Sequence, residues 1–148
     1  MNPEILFNVV NAIAMVAWGL LIVLPGAAIT RIFIRSGIVI LLLAAIYATL
    51  IVAYFDPKVM QDFSSLSGVM HLFTDPMGVV AGWTHYLVFD LFVGMWITND
   101  ASKAGVNRWL VLPCQIFAFM FGPIGFLLYY GVRFFVTKSL KVNLFAEQ

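Results

Sequence analysis

Between His71 and Asp100 the chain reads HLFTDPMGVVAGWTHYLVFDLFVGMWITND, and this stretch limits the available folds more than any other. Its apolar run from Met77 to Thr98 is roughly the length that crosses a hydrocarbon core, yet it contains His85 and Asp90. An ionisable side chain at the middle of a membrane helix costs roughly 2.5–3.5 kcal/mol on insertion scales, so it faces a protein interior, a water-filled cavity or a bound ligand. The chain around this run has too few charges to cover a water-facing surface: 10% of residues are charged and 63% are hydrophobic. Soluble domains average about a quarter charged. The sequence therefore predicts an integral membrane protein, with the lipid bilayer as its first partner.

Three further apolar runs complete a predicted all-α bundle of four transmembrane helices over residues 5–24, 36–55, 77–98 and 109–136. The first ends at Pro25-Gly26, a helix stop, and has no basic segment or small-residue cleavage site before it, so it reads as a retained helix. On it Asn8, Asn11 and Trp18 share one face, and hydrogen-bonding groups on a membrane helix point at other helices. The second run ends at Asp56-Pro57 and carries Tyr47 and Tyr54 on one face, Tyr54 as an interface anchor. Between Asp56 and Pro76, Val59, Met60, Phe63, Leu66, Val69, Met70 and Phe73 recur at three- and four-residue spacing, which predicts a short amphipathic helix on the membrane surface. Thr74-Asp75-Pro76 is a helix start. Gly78 and Gly82 form a small-residue pair that lets another helix approach. Pro113 and Gly122-Pro123 predict a kinked or broken last helix. Lys138, Lys141 and the last residues read as a short exposed tail.

With four spans, Arg31, Arg35, Lys103 and Arg108 fall on one side and Lys58, Arg133, Lys138 and Lys141 on the other. The positive-inside rule is then tied, and only the usual dominance of the first hairpin favours the first set as cytoplasmic.

Two pairs of ionisable groups stand out. His85 and Asp90 lie about 140° apart around a helix and roughly 7 Å apart along it. They line opposite walls of one cavity or meet partners on different helices; the structural alternative is an interhelical hydrogen bond that fixes packing. A dry interior favours the uncharged form of each, a protonated acid beside a neutral base, as acid–base catalysis requires. Tyr86, four residues before Asp90, can satisfy the carboxyl. His71 and Asp75 share a face if helical, as a proton relay or half a metal site; alternatively Asp75 only caps the third span. Asn11 and Gln115 suit packing or ligand orientation. Cys114 is the single cysteine, too few for an internal disulfide or a thiolate metal site. The sequence has no phosphate-cradling glycine loop, dinucleotide fingerprint or His-rich haem or diiron pattern, so redox chemistry is disfavoured and no cofactor is expected. A metal at His71 and Asp75 would lack a second His at a spacing that completes a zinc set. The net charge of +1 gives no reason to expect nucleic acid as a partner. A channel or pump would carry more polar residues per span, and alternating access at this length would need a homo-oligomer.

The segments FTDPMGVVAGWTHYLVFDLFVGMWITNDA (73–101) and FMFGPIGFLLYY (119–130) resemble the abscisic-acid-deficient-four-like family, four-span membrane proteins with plant and bacterial members. The block AGWxHYLxFDLFVG carries most of that resemblance. It implies a part in xanthophyll biosynthesis, in the conversion of violaxanthin to neoxanthin, with a carotenoid or related apolar isoprenoid as ligand. That conversion is an isomerisation: an epoxide opens, leaving an allene and an alcohol, with no net oxidation and no cofactor. On this reading Asp90 is the acid, His85 the base, and His71 and Asp75 a second pair at the pocket mouth. Trp18, Tyr47, Trp83, Tyr86 and Phe89 would contact the polyene or shield a cationic intermediate, with Asn11 and Gln115 beside them. A non-catalytic carotenoid-binding or structural membrane protein is the alternative. A chain with no plastid transit peptide points to a bacterial cell membrane, a plant-type one to a plastid membrane.

Overall fold

The computed structural model describes residues 2–54 and 59–139. The expected stop at Asp56-Pro57, Lys58, Lys141 and the tail beyond Ser139 lie outside the described residues. What is described is all-α.

Helix α1 (Pro3–Val23) starts where Asn2 accepts hydrogen bonds from the backbone N–H groups of Glu4 and Ile5, with Pro3 in the first turn. Val10, Ala14, Ala17, Trp18 and Leu21 are its buried stripe. The four last carbonyls of a helix have no partner within it. Here the hydroxyl of buried Thr30 donates to Leu24 O (2.6 Å), and Arg108 Nη2 donates to Ile22 O (2.5 Å) and Val23 O (3.1 Å). Thr30 opens a π-helical segment, Thr30–Arg35, which turns the chain into α2 (Ile38–Tyr54). Only Leu43 and Leu50 of α2 are fully buried; Leu41, Leu42 and Val52 point away from the bundle.

The single amphipathic helix expected before the third run is two pieces, α3 (Val59–Asp62) and α4 (Leu66–Leu72). Ser64 Oγ donates to Gln61 O and Ser65 Oγ accepts from Gly68 N, so the serines end one helix and start the next. Gly68 then sits against the Asp62 backbone, where a Cβ would overlap it.

The central element is α5 (Pro76–Ala104), packed by α1, α2 and the last two helices. Asp75 Oδ2 accepts from Gly78 N at 2.8 Å, and Gly105 closes the helix in the left-handed conformation (φ 66°). What Gly78 and Gly82 admit is the end of the short helix α4 and the residue after it: the Leu72 carbonyl meets Gly78 and the Phe73 ring meets Gly82. The close helix approach lies further on, where Gly94 receives the Trp18 indole. Helices α1 and α5 are each long and apolar enough to cross a membrane.

The last apolar run is not one rod. The helix α6 (Arg108–Phe121) passes through Pro113, and the chain breaks at Gly122, whose φ of 35° favours glycine. From Pro123, α7 (Pro123–Thr137) runs back along α6. Gly125 makes the reversal possible: a Cβ there would overlap the Ala118 backbone and the Cys114 carbonyl. At roughly 1.5 Å per residue each arm is about 21–23 Å long, short of the ~30 Å of a hydrocarbon core. The expected single span over 109–136 is therefore a helical hairpin. Its open end is fastened to α5 by Asp100 Oδ2, which accepts from Tyr129 Oη (2.6 Å) and Arg133 Nε (2.8 Å). Trp96 adds ring contacts to Phe126, Tyr129 and Tyr130.

The reversal also redistributes charge. Arg133 and Lys138 return to the end that holds Arg31, Arg35, Lys103 and Arg108, so every described Lys and Arg lies at that end. Glu4, Asp62 and Asp75 lie at the other. The tie in the sequence came from sending the last run straight across.

Candidate functional site

Asp90 sits halfway along α5, directly beneath the hairpin tip. Its side chain faces Gly122, where an added Cβ would overlap the carboxyl, and its Oδ2 is buried with no hydrogen-bond partner. Asp90 is 7% exposed. One turn away, the Tyr86 hydroxyl donates to Phe119 O and Met120 O at 3.3 Å each and also interacts with the Asp90 carboxyl. These carbonyls belong to the last turn of α6, where the helix leaves them free. The buried acid and the neighbouring tyrosine expected from the sequence are thus both present, and the hairpin tip is what covers them.

His85 is not at this centre. It is an exposed residue on another face of α5, its ring 5.5 Å from Tyr47 and 4.7 Å from Phe89, centroid to centroid. Of the two expected arrangements, a shared cavity or partners on different helices, the contacts match the second: the α6–α7 tip covers Asp90 while Tyr47 of α2 lies beside His85. His71 and Asp75 do not pair either. Helix α4 ends at Leu72, which breaks the four-residue register; Asp75 caps α5, and His71 Nδ1 lies 3.4 Å from Asp62 Oδ2 with 76% of its side chain exposed.

The remaining expected contact residues divide into three groups. Trp83 Nε1 donates to Asn11 Oδ1 (2.9 Å), and the Trp83 ring lies 5.7 Å from Phe7 and 5.2 Å from Tyr86. Phe7, Trp83 and Tyr86 therefore form an aromatic ledge between α1 and α5 that ends beside Asp90. Tyr47 and Phe89 belong with His85. Trp18 (2% exposed) packs on Phe119 and Gly94 as core, and Gln115 Nε2 donates to Thr98 Oγ1 (2.7 Å) near the basic end. Sequence reasoning missed Phe7, which looked like one of many apolar residues in α1, and it missed Gly122 as the cover of Asp90.

Two clefts flank this arrangement. One, about 470 Å³, lies between the starts of α1 and α5 and is lined by Glu4, Phe7, Asn8, Thr74, Val79 and Val80. It meets the ledge at Phe7. The other, about 260 Å³, lies at the basic end among Arg35, Thr98, Ser102, Arg108 and Gln115. Neither is lined by Asp90 or His85.

These features define a class: an all-α protein with apolar helices of membrane-crossing length and a carboxyl held under a helical hairpin. The chain belongs to the ABA DEFICIENT 4-like family, whose profile matches residues 5–129. It is 30% identical over 132 residues to Protein ABA DEFICIENT 4, chloroplastic, of Arabidopsis thaliana, an alignment covering 84% of this chain and 56% of that protein. The chain thus spans little more than half the length of this curated relative. No solved structure matches it.

Proposed function

We propose that this is an integral membrane protein in which α1, α2 and α5 cross the bilayer and the α6–α7 hairpin enters and returns. Its function on this reading is the isomerisation of an epoxide-bearing carotenoid or related isoprenoid. The observation that carries the proposal is Asp90: a carboxyl with an unpartnered oxygen at the end of an aromatic ledge. From Val80 at the cleft to Asp90 the helix rises roughly 15 Å at 1.5 Å per residue. A ligand lying along Phe7, Trp83 and Tyr86 brings one end group to the carboxyl and leaves the rest of its polyene towards the cleft.

With His85 on another face, one carboxyl serves both proton transfers. Its protonated oxygen donates to the epoxide oxygen as the ring C–O bond breaks. Its other oxygen takes a proton from the adjacent polyene carbon as the allene forms. Substrate and product are isomers, and the acid returns to its starting state. Tyr86 holds the hairpin tip and orients the carboxyl. His85, Tyr47 and Phe89 flank α2 and contact lipid or a second stretch of ligand.

The test is purified protein alone, in detergent, given violaxanthin. Product should form with wild type, and Asp90→Asn should lower turnover at least ~100-fold, the low end of a general acid–base contribution, while the variant stays folded by circular dichroism. A wild-type rate in that variant rejects the assignment. The second reading, a carotenoid-binding protein with no turnover, is favoured by the position of both clefts away from Asp90; ligand retention without product would support it.

A further inference from the structure

We propose that the cleft at the basic end is a binding site for a phosphate-bearing group, held between Arg35 and Arg108. Arg35 comes from the end of the π-helical segment and Arg108 from the first residue of α6, and both line the cleft with Thr98, Ser102 and Gln115. Each guanidinium has five donors. Arg35 Nη2 donates to Asn99 Oδ1 (3.3 Å) and Arg108 Nη2 to the α1 carbonyls; Nε and Nη1 of both have no partner among the described residues and can serve a ligand. Among the described residues no carboxylate lines the cleft; Asp100, the acid described at this end, accepts from Tyr129 and Arg133. Donors therefore exceed acceptors, and two guanidinium forks match phosphate oxygens in geometry and charge.

The surroundings favour the same ligand. Arg31, Lys103, Arg133 and Lys138 share this end of the molecule, so its field attracts anions into the cleft. A volume of about 260 Å³ is several times the ~30 Å³ share of one water, room for a phosphate with the first carbons of an ester. The site is distinct from the Asp90 centre and independent of the isoprenoid reading. The shared chemistry fits an anionic phospholipid headgroup or a soluble phosphate.

The test uses the full chain in detergent with two probes, phosphatidylglycerol followed by native mass spectrometry and inorganic phosphate followed by thermal unfolding. Wild type should retain phosphatidylglycerol, and Arg35→Gln should weaken retention about tenfold or more, as loss of a charge-assisted bond implies. Lys138→Gln, a cation at the same end outside the cleft, should stay within about twofold. Arg108→Gln should weaken binding likewise; because it also frees the end of α1, Arg35→Gln decides if Arg108→Gln fails to fold. Retention of the lipid without protection by inorganic phosphate assigns the site to a headgroup, and protection by inorganic phosphate assigns it to soluble phosphates. Failure to bind either probe, or equal losses in Lys138→Gln and Arg35→Gln, overturns the proposal.

Discussion

Asp90 and Gly122 show how much one contact decides. A carboxyl in an apolar interior is costly unless hydrogen-bonded, and here Oδ2 is buried without a partner while the hairpin tip lies against the carboxyl at Gly122. Gly125 is the second contact of this kind, since any side chain there pushes into the α6 backbone. Gly125→Ala should destabilise the protein by about 1–3 kcal/mol, the usual cost of overpacking, read as a lower unfolding midpoint in detergent with Gly131→Ala as control; Gly131 has open space around its Cβ position. At this scale the sequence was readable where the cause is local. Asp75 before Pro76 announced a cap, and it is one. Asp90, midway along an apolar run, was expected to be a buried acid and is one, whereas His85 in the same run is exposed. The partner of Asp90 was not readable: a separation of five residues fixes an angle on α5 but not which helix covers each side. His85 met α2, and Asp90 met a glycine more than thirty residues away in the chain.

Among the elements, α1, α2 and α5 follow from long apolar runs. Their described starts and the end of α1 fall within about two residues of the expected ones, but α5 runs on to Ala104 through Asn99 and Asp100, past the expected end at Thr98. The break at Gly122-Pro123 was readable too, since glycine followed by proline ends a helix. Its direction was not. Whether the chain resumes forwards or folds back depends on Gly125 fitting Ala118 and on Asp100 receiving Tyr129 and Arg133, contacts between segments far apart in sequence. The same cluster makes the hairpin testable. Asp100 and Arg133 have side chains only 14% and 11% exposed, so removing one leaves the other charge buried. Arg133→Gln should cost about 3 kcal/mol, the low end for breaking a buried pair, and chemical denaturation should show it. If the hairpin were a straight span, the two residues would lie at opposite ends and the substitution would have little effect. The amphipathic segment before α5 was half readable: its apolar spacing was right, but two adjacent serines divided it.

For the whole molecule, the hairpin turns a balanced distribution of charge into a polarised one. Under the membrane reading proposed above, the basic end faces the cytoplasm or its equivalent. With Cys114 replaced by serine, a cysteine at position 138 should be labelled from the cytoplasmic side by an impermeant maleimide, as should one at position 102. A cysteine at position 67 should be labelled from the other side. Labelling of positions 138 and 67 from the same side would restore a straight fourth span.

The halves also differ in bulk. Five helices fill the basic half of the molecule. Since α6 and α7 stop at Gly122, only α1, α2 and α5 of these continue into the acidic half, where α4 ends against the start of α5. Below the level of the hairpin tip, Phe7, Trp83 and Tyr86 line up between α1 and α5. Under the membrane reading proposed above, an apolar rod-shaped molecule dissolved in the leaflet on the acidic side would reach that ledge sideways, without crossing water.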